Sequence, residues 1–433
     1  MSAPVDDCDG GVSINDFLAY MPTHTYIFRP TGELWPASSV NGRLPPLKID
    51  GRPMKPSDWI DQNRPVEQMT WDPGEGKLIH GKAMQVSGWA PHAGMRVFNL
   101  YNPPRPSVGD AALAGPWLDH VRRIYPDDAE HIERWLAHRI QFPGVKCNHA
   151  LVLIGDQGIG KDALLVPIRD GVGPWNWSDI SPPQLTGRFN SFAKAVVLLI
   201  SEARDLGTDV DRFSFYEHAK VYICGPPPVL RVDEKNLREH NVPNLVGVVI
   251  TSNHKLDGLY LAPDDRRHFI ASSNATRETF GANYWPDLFR WYEGGGIGHA
   301  IAYLRALDLS AFNPKAPPPR TPAFWAMVAA GEAPEAGEMR DVLDALGSPS
   351  VVTLGRVIDK AEVLLLSGLR DELVDRKQRR TLPHRFERAG YTAVRNPDAK
   401  DGLFKLGGRR TVVYARRDLP LSDQIREARR LTV

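Results

Sequence analysis

The sequence has few cysteines and no long apolar runs, and both absences narrow the class of protein. Its 433 residues include three cysteines, Cys8, Cys147 and Cys224, which lie far apart. This spacing provides neither a CxxC pair for zinc nor a disulfide framework, so we expect a reducing compartment. The first residues, MSAPVDDCDGG, contain neither the basic nor the apolar part of a signal peptide, and no apolar run approaches membrane-spanning length. The sequence therefore predicts a cytoplasmic protein without a membrane partner.

An excess of charge of one sign is also absent from the chain as a whole. Lys and Arg number 53, Asp and Glu number 52, and the formal net charge is +1. This balance hides a basic segment, residues 376–417, in which thirteen Lys and Arg stand against three acids and leave a net charge of +10. A chain of this length is expected to form two or three domains, and the uneven charge indicates an anionic partner for the last of them.

Residues 151–162 read LVLIGDQGIGKD, an apolar run followed by a glycine-rich loop and a lysine. The spacing of Gly155, Gly160 and Lys161 fits the pattern G-x-x-x-x-G-K. Glycines let consecutive backbone N–H groups point at phosphates, and the lysine reaches the outer phosphates from the start of a helix whose dipole favours anions. We therefore predict a nucleoside triphosphate site. A glycine-rich strand-to-helix turn with a fortuitous lysine is the structural alternative.

Two further apolar runs, at residues 195–200 and 246–250, are each followed by polar side chains. Such runs are typical of buried parallel strands, whose carboxyl ends form the ligand-binding edge of an α/β sheet. The first run leads to Glu202, a candidate for polarising the attacking water or binding a metal ion. The second leads to Asn253, a candidate for orienting the lytic water or the γ-phosphate. The alternative for Asn253 is a strand-terminal residue bonded to its own backbone.

An arginine pair, Arg266 and Arg267, follows within the motif DDRRHF. Two adjacent arginines are usually a solvated surface feature. After the strands of an NTPase sheet, however, they are candidates for an arginine finger that completes the site of a neighbouring subunit and stabilises transition-state charge. This interpretation predicts that the active form is a ring.

The ordered set of motifs resembles a known family. GDQGIGKD, LTGRFN, ISEARDL, KVYICGPPPVLRVDEKNLRE, VVITSNH and DDRRHF together look like the superfamily 3 helicase domain of phage and plasmid primase-helicases, related to the poxvirus-type primase-helicase. The resemblance implies an α/β fold, with a P-loop, AAA+-like parallel sheet that carries helices on both faces. It also implies an ATP-driven, Mg²⁺-dependent DNA helicase that forms a homohexamer on single-stranded DNA. Its setting would be phage or plasmid replication in a bacterial host cell.

The resemblance assigns roles to individual positions of this sequence. Asn253 would be the sensor 1 residue, Arg266 or Arg267 would act in trans, and Asp162 and Glu202 would hold Mg²⁺. The Walker A loop would comprise Gly155, Asp156, Gln157, Gly158, Ile159, Gly160, Lys161 and Asp162, and Glu202 would be the Walker B acid. The family also places a DNA-gripping hairpin between Walker B and sensor 1, an interval that holds Arg231, Lys235, Arg238 and His240. A solvated basic face is the alternative for that interval.

Two positions depart from the family pattern. Asp162 stands where a Ser or Thr hydroxyl usually holds Mg²⁺, and Ser201 stands where the family has the first of two Walker B acids. We hypothesise that acid and hydroxyl have exchanged places, because Mg²⁺ accepts oxygen ligands from either side of the site. A degenerate site that binds ATP without turnover is the alternative.

The basic segment 376–417 contains a helical stretch that closes at Gly390 and is followed by strand-like runs separated by turn signals. A helix followed by a basic hairpin suggests a winged helix, an α+β domain whose helix enters a DNA groove while its wing contacts the phosphates. Arg379, Arg380 and Arg385 are the DNA-binding candidates here. A basic structural appendage that docks onto an acidic partner is the alternative.

Composition indicates the remaining boundaries. Trp35, Trp59 and Trp71 are expected in the core of a β-rich N-terminal module rather than as base-stacking platforms. The predicted domains are a β-rich module over 1–108, a helical collar over 109–145 interrupted at Pro126, the ATPase over 146–312, a Pro/Gly-rich linker over 313–350 and the winged-helix-like domain over 351–433. The sequence offers no clear motif for a primase-polymerase domain before the ATPase, so the expected partner is a separately encoded primase or polymerase.

Two other classes of function stay open at this point. One is an ATP-binding, DNA-binding initiator protein without unwinding activity. The other is a P-loop phosphotransferase that acts on a small molecule, against which the arginine pair and the basic tail argue. ATPase assays with and without single-stranded DNA distinguish the three.

Overall fold

The computed structural model describes residues 11–201, 212–235, 238–253, 259–332, 335–374 and 382–431. The chain divides into two compact units, Met1–Phe324 and Trp325–Val433. Within the described ranges, no helix combines the length and the apolar character needed to cross a membrane. The domain boundaries inside the first unit remain predictions from composition.

The N-terminal part is built from short strands and two short helices, as its alternating sequence predicts. Its elements are β1 (Phe17–Tyr20), β2 (Thr25–Phe28), β3 (Glu33–Trp35), α1 (Ala37–Arg43), β4 (Leu47–Ile49), β5 (Arg52–Met54), α2 (Pro56–Asn63), β6 (Pro65–Val66), β7 (Gln68–Thr70), β8 (Leu78–Gln85) and β9 (Gly88–Asn99). They form sheets of order β3-β2-β1-β6, β4-β5 and β7-β9-β8. Trp35 and Trp59 are half-buried and pack against the cluster around Phe17, whereas Trp71 is buried in the main core rather than in a core of the N-terminal module alone.

Two helices precede the central sheet and are separated at the predicted proline. They are α3 (Gly115–Ile124) and α4 (Ala129–Gln141). Pro126 breaks the helix because its ring excludes the preceding turn and it has no backbone N–H. In α4 the apolar residues Ile132, Trp135 and Leu136 recur at helical spacing and are fully buried in the main core.

The centre of the first unit is a five-stranded parallel sheet flanked by helices, consistent with a P-loop fold. Its strands have the order β11-β12-β15-β10-β16, and all four neighbouring pairs are parallel. The elements are β10 (Ala150–Ile154), α5 (Lys161–Val172), β11 (Trp177–Ile180), α6 (Pro182–Leu185), β12 (Val197–Ile200), α7 (Arg212–Ile223), β13 (Val229–Val232), β14 (His240–Pro243), β15 (Gly247–Ser252), β16 (His268–Ser272), α8 (Tyr284–Trp291) and α9 (Ile297–Ala306). Strands β10, β12 and β15 are buried along their whole length, because helices cover both faces of such a sheet.

Parallel pairing brings several strand ends to one edge of this sheet. Ile154 lies opposite Ser252, and Ile200 lies opposite Ile250, so β10, β12 and β15 finish nearly level. The residues that follow them therefore share the carboxyl edge, where α/β sheets bind ligands. The order of the strands places β15 between β10 and β12, so the residue after β15 stands between the other two strand ends.

The second unit is a small mixed α/β structure. The elements from the end of the first unit onward are α10 (Pro322–Glu332), α11 (Glu335–Ala345), β17 (Val351–Thr353), α12 (Leu354–Val363), α13 (Ser367–Val374), α14 (Leu382–Arg388), β18 (Tyr391–Val394), β19 (Phe404–Leu406), β20 (Arg409–Thr411), β21 (Val413–Arg416) and α15 (Leu421–Arg430). Strands β17, β21 and β18 form an antiparallel sheet, and β19 pairs with β20 in a hairpin. The rings of Phe386 and Tyr414 stack in its core with centroids 3.7 Å apart.

The structure differs from the sequence-based expectation between residues 313 and 350. Helices α10 and α11 lie within this segment, which composition had indicated to be a Pro/Gly-rich linker. Met339, Val342 and Leu343 of α11 are buried in the same core as Val352 and Val357. Their helical spacing outweighs the surrounding Glu and Gly residues, because burying an apolar face stabilises a helix more than propensity does.

Candidate functional site

The loop between β10 and α5 has a conformation that requires glycine. Gly158 and Gly160 have φ angles of +84° and +90°, in the left-handed region. A Cβ at Gly160 would lie 2.4 Å from the Trp285 ring and 2.7 Å from the His120 ring. Backbone conformation and close aromatic neighbours therefore both exclude a side chain at this position.

Lys161, the first residue of α5, extends back across this loop. Its Nζ donates hydrogen bonds to the carbonyl oxygens of Gly155 at 2.7 Å and Asp156 at 3.0 Å, and to Oδ1 of Asn253 at 2.9 Å. Lys161 is 7% exposed, and burial lowers its pKa while the charges of Asp162 and Asp156 act in the opposite direction. Its three hydrogen-bond partners are neutral oxygens, so its charge remains available to an anionic ligand.

Asn253 reaches Lys161 because β15 lies directly beside β10. Its side-chain oxygen accepts a hydrogen bond from Lys161, so this side chain spans the gap between two strand ends. The structure therefore brings together the two residues predicted as Walker A lysine and sensor 1. Their catalytic roles remain predictions.

A cavity of about 680 Å³ opens in front of the loop. Six of its lining residues are predicted site residues: Gln157, Gly158, Gly160, Lys161, Asp162 and Asn253. The lining also includes Ala163, Asp179, Ser201, Thr251, Arg277, Trp285 and Phe289. Its size suits a small-molecule ligand such as a nucleotide.

One wall of the cavity is aromatic. Trp285 and Phe289 lie four residues apart on α8 and therefore on the same helical face. His120 fixes this wall to the loop: its Nε2 donates to the carbonyl oxygen of Gly160 at 3.0 Å, and its Nδ1 accepts from the hydroxyl of Tyr284 at 2.7 Å. Burial lowers the pKa of His120 and so favours the neutral imidazole, in which one ring nitrogen donates and the other accepts.

An unanticipated carboxylate stands beside Ser201. The Oγ of Ser201 donates a hydrogen bond to Oδ1 of Asp179 at 2.8 Å. Asp179 lies on β11, the strand next to β12, and both side chains line the cavity. The absence of an acid at position 201 therefore has a second possible compensation besides Asp162: Asp179 supplies the carboxylate that is missing at position 201.

Of the two predicted metal ligands, the structure describes one, Asp162. Asp162 is exposed and lines the cavity. Glu202 lies outside the described residues. In the part of the chain that the structure describes, no group of three or more His, Cys, Asp and Glu side chains is arranged for a metal ion. The carboxylates of Asp162 and Asp179 and the hydroxyl of Ser201 are among the side chains at the cavity wall, and such oxygens are of the type that Mg²⁺ prefers.

A cationic residue of the same chain also reaches the cavity. Arg277 follows β16, and its Nε donates to the carbonyl oxygen of Gln157 at 3.3 Å. A Cβ at Gly158 would lie 2.8 Å from this nitrogen, so the guanidinium lies directly against the loop. Lys161 and Arg277 thus provide two positive charges at the cavity, one from each side of the loop.

The predicted arginine finger lies at the opposite edge of the sheet. Arg266 and Arg267 precede β16, and the carbonyl oxygen of Arg267 accepts a hydrogen bond from the N–H of Ala150, at the start of β10, at 2.8 Å. Five strand residues at about 3.3 Å each separate Ala150 from Gly155, so the pair lies roughly 16 Å from the loop of its own chain. Neither arginine is positioned to reach the cavity of the same molecule.

A buried network anchors the arginine pair. Oδ1 of Asp265 accepts hydrogen bonds from the N–H groups of Arg267 and His268, at 2.9 and 3.0 Å, and its Oδ2 accepts from the hydroxyl of Tyr216 at 2.8 Å. These bonds together with His268 hold the pKa of Asp265 well below its usual range, although burial opposes them. Arg266 is exposed, whereas Arg267 is half-buried. The network holds the backbone next to Arg266, whose side chain is exposed to solvent.

The interval predicted to contain a DNA-gripping hairpin forms a hairpin of β13 and β14. Arg231 is exposed on β13 and forms a salt bridge with Glu239. Lys235 and Arg238 lie exposed in the connection between the strands. His240 does not belong to this basic row: it is 8% exposed and burial lowers its pKa, so the imidazole stays neutral. DNA binding by the three other residues remains a prediction.

The basic candidates of the second unit are described only in part. Arg385 lies half-buried on α14. Arg379 and Arg380 lie outside the described residues. The strand-like runs predicted after Gly390 are present as β18 to β21, and Gly390 itself has a φ of +85° after the end of α14.

Sequence reasoning missed four residues that line the cavity: Asp179, Arg277, Trp285 and Phe289. Asp179 and Arg277 carried no detectable signal, because their place in the site depends on strand order and on the path of the chain after β16. The two aromatic residues did carry one. Their spacing of four, on a helix shortly after the last predicted strand, was a sign of a shared apolar face.

Comparisons with known proteins establish the fold and leave the function open. The model of a family of unknown function (DUF5906) matches residues 153–267, and no curated protein matches the chain. An apo structure of the NrS-1 C terminal region (305-718) is 14% identical with a TM-score of 0.56, and the match covers 92% of this chain and 95% of that one. A second, the A form, is 17% identical with a TM-score of 0.53, covering 86% and 87%. A JCV helicase structure is 11% identical and covers 56% and 66%, with a TM-score of 0.29 that does not establish a common fold. The chain therefore shares the fold of the NrS-1 C-terminal region.

Proposed function

We propose that this chain is an ATP-dependent DNA helicase or translocase of the superfamily 3, AAA+-like type, related to the primase-helicases of phages, plasmids and poxviruses. The observation that carries the proposal is the convergence of Lys161, Asn253 and the glycine loop at the carboxyl edge of a parallel sheet, in front of a nucleotide-sized cavity. The lysine is already held at the loop by neutral oxygens, so a triphosphate would meet a positioned charge rather than a free side chain.

Each part of the cavity suits one part of a nucleotide. Lys161 and Arg277 would bind the phosphates, together with the N–H groups of the loop. Trp285 and Phe289 would stack on the base, since an aromatic face accepts any base without a hydrogen-bond code. Asn253 would orient the γ-phosphate or the attacking water, a role that fits its contact with Lys161.

Mg²⁺ would be held on the side of the cavity where the carboxylates lie. We propose Asp162 and Glu202 as ligands, with Asp179 as a further candidate that Ser201 positions by its hydrogen bond. When bound, the ion would supply positive charge that neutralises the phosphates. The protein's contribution is to present oxygen atoms from α5 and from the neighbouring strands β11 and β12 to the same space.

The position of the arginine pair favours catalysis between subunits. Arg266 and Arg267 lie roughly 16 Å from the loop of their own chain, by the spacing of strand residues. A homohexameric ring would place the arginine edge of one subunit against the cavity of the next, where an arginine stabilises transition-state charge. Exposed Arg266, on its network of buried hydrogen bonds, is the better placed of the two.

DNA would contact two basic surfaces. The first is the hairpin of β13 and β14, whose exposed Lys235 and Arg238 would follow the phosphate backbone of single-stranded DNA in the channel of the ring. The second is the C-terminal unit, which we propose to be a winged helix with Arg379, Arg380 and Arg385 on its DNA side. Its support is topology: α14 precedes β18, and the β19–β20 hairpin inserts between β18 and β21 as a wing would. The setting would be phage or plasmid replication in the cytoplasm of a bacterial host, with a separately encoded primase or polymerase.

The test is ATP hydrolysis with and without single-stranded DNA, by wild type and by Lys161→Ala. Lys161→Ala should lower turnover by about 10² to 10³ or more, because a preorganised charge is lost from the transition state. Lys48→Ala, the same change at an exposed lysine of β4, should retain wild-type turnover. Native mass measurement with ATP and single-stranded DNA should show a hexamer.

The outcomes separate the competing functions. Hydrolysis stimulated by DNA and strand separation on a forked substrate support the proposal. ATP-dependent assembly without unwinding indicates an initiator, and hydrolysis that responds to a small-molecule acceptor but not to DNA indicates a phosphotransferase. Wild-type turnover by folded Lys161→Ala would contradict the NTPase assignment itself.

A further inference from the structure

The N-terminal strands enclose a second, smaller cavity of about 180 Å³ that is lined by cations. Four basic side chains surround it, and three apolar ones form its floor. The basic residues are Arg29, Arg64, Lys77 and Arg96, and the apolar residues are Leu18, Leu78 and Phe98. We refer to this cavity as the arginine pocket. It shares no lining residue with the cavity at the glycine loop.

Separate elements of the fold bring these cations together. Arg29 follows β2, Arg64 caps the end of α2, and Lys77 immediately precedes β8. Arg96 and Phe98 are two residues apart on β9 and therefore project from the same face of the strand. The four cations are distant from one another in sequence, so no local motif predicts the pocket.

Three of the four cations of the arginine pocket donate hydrogen bonds to neutral oxygens. Nη1 of Arg64 donates to the carbonyl oxygens of Asn15 at 2.6 Å and Phe17 at 3.4 Å, and Nη1 of Arg29 donates to Asn15 O at 3.1 Å. Nζ of Lys77 donates to the carbonyl oxygen of Tyr101 at 3.2 Å.

Arg96 is the least satisfied of the four. Its Nε is buried without a hydrogen-bond partner. In the part of the chain that the structure describes, none of the four cations forms a salt bridge and no carboxylate lines the pocket. Asp16 is the acid whose charge acts on Arg64 from outside the lining.

Gathering these charges has an energetic cost. Burial lowers the pKa of Arg64, and the charges of Arg29 and Arg96 lower it further. Burial likewise lowers the pKa of Lys77, with Arg29 adding to the effect. Like charges held close together destabilise a fold, whereas an anion placed among them would be attracted by every one.

We propose that the arginine pocket is a binding site for a phosphate group. Arginines match phosphate oxygens with paired, planar N–H donors, and Arg29, Arg64 and Arg96 each bring a guanidinium group to the pocket lining. The apolar side chains of Leu18, Leu78 and Phe98 lower the local dielectric constant and so strengthen these bonds. At roughly 30 Å³ per water molecule the pocket has room for about six waters, which suits one phosphate group and part of its sugar rather than a nucleoside triphosphate. The phosphate belongs either to a DNA backbone or to a free phosphorylated molecule.

The test measures binding of inorganic phosphate by calorimetry at constant ionic strength, with the full chain in the Lys161→Ala background. That background removes Lys161 from the glycine loop, and the comparison of variants within it isolates the arginine pocket from any phosphate that still binds at the loop. Arg29→Gln and Arg96→Gln should each weaken phosphate binding about tenfold or more, because each removes a charge-assisted hydrogen bond. Arg52→Gln is the matched control: it removes the same charge from an exposed site on β5 of the same N-terminal part and should bind phosphate like the parent.

Arg29 is exposed, so Arg29→Gln should fold even if Arg96→Gln does not, and the urea midpoint of each variant checks this. Equal phosphate affinity in Arg29→Gln and Arg52→Gln, or no phosphate binding by the parent, would overturn the proposal. The source of the phosphate follows from single-stranded DNA binding at several salt concentrations. If Arg29→Gln reduces the log–log salt slope by about 0.7, the pocket holds a DNA phosphate. If the slope is unchanged while phosphate binding is lost, the pocket holds a free phosphorylated molecule.

Discussion

Acid should destabilise the first compact unit, because three of its histidines are held in the neutral form: His138 and His149 are buried and His131 is half-buried. His131, His138 and His149 surround Phe312, and His131 also stacks on Phe269 with ring centroids 3.9 Å apart. Burial lowers the pKa of His131 from 6.5 to about 4 and those of His138 and His149 to about 3. Neighbouring arginines and the other histidines act in the same direction.

The direction of the effect follows from proton binding. The unfolded chain regains the ordinary histidine pKa of 6.5 and binds more protons than the folded chain below that pH. Stability is therefore fully present above about pH 6.5 and falls as the pH decreases toward the folded values. About pH 5 lies about 1.5 units below the ordinary histidine pKa, so keeping each fully buried histidine neutral there costs ~2 kcal/mol at ~1.36 kcal/mol per unit.

His138 and His149 together account for a loss on the order of 4 kcal/mol at about pH 5. Asp128 acts in the opposite direction, because burial raises its pKa to about 6. At the same pH its protonation in the folded state offsets roughly 1 kcal/mol of the loss of stability. These three groups give a net loss of roughly 3 kcal/mol, and His131, with a folded pKa of about 4, adds to it. The loss is a large share of the 5–15 kcal/mol that is typical of folded domains.

The measurement is urea unfolding of the full chain at about pH 7 and about pH 5, followed by tryptophan fluorescence. Ten of the eleven tryptophans precede Trp325, so the signal reports on the first unit. His138→Phe keeps the ring contacts with Phe142 and Phe312 and should recover roughly 2 kcal/mol of the acid loss. His92→Gln removes an exposed histidine, so on going from about pH 7 to about pH 5 this variant should lose as much stability as wild type. Equal unfolding free energies at the two pH values in wild type, or an undiminished loss in His138→Phe, would refute the reasoning.

Three other perturbations address the proposed function. If both carboxylates hold the metal, Asp179→Asn should lower Mg²⁺-dependent hydrolysis about as strongly as Asp162→Ser, as measured by rates over a range of Mg²⁺ concentrations. A harmless Asp179→Asn would mean that Asp179 only accepts the hydrogen bond of Ser201 and does not bind the metal. Mixtures of inactive Arg266→Ala and inactive Lys161→Ala proteins should regain partial activity through hybrid interfaces, and co-assembled mixtures that stay inactive would contradict catalysis in trans. Deletion of residues 325–433 should weaken single-stranded DNA binding and flatten its salt dependence, since each phosphate contact contributes roughly 0.7 to the slope. The deletion begins at 325 because a cut at 350 would divide the core that α11 shares with later residues; an unchanged slope would return the segment to a structural role.

Local sequence determined much of the central fold. The runs that became β10, β12 and β15 were recognisable because strands covered on both faces must be apolar at every position. The glycine loop was recognisable because its backbone needs positive φ at Gly158 and Gly160, which few other residues adopt. Pro126 likewise marked the break between α3 and α4, since a proline has no N–H to continue a helix.

Tertiary structure decided which of these features meet. Strand order placed Asn253 in contact with Lys161, put Asp179 beside Ser201 and moved Arg266 to the far edge of the sheet, and none of these relations has a local signal. The same holds for the arginine pocket, whose four cations come from four separate places in the chain. Periodicity and turn chemistry act over a few residues and therefore specify elements. The choice of neighbours depends on burying all apolar faces at once, so the arrangement of the site emerges only from the packed molecule.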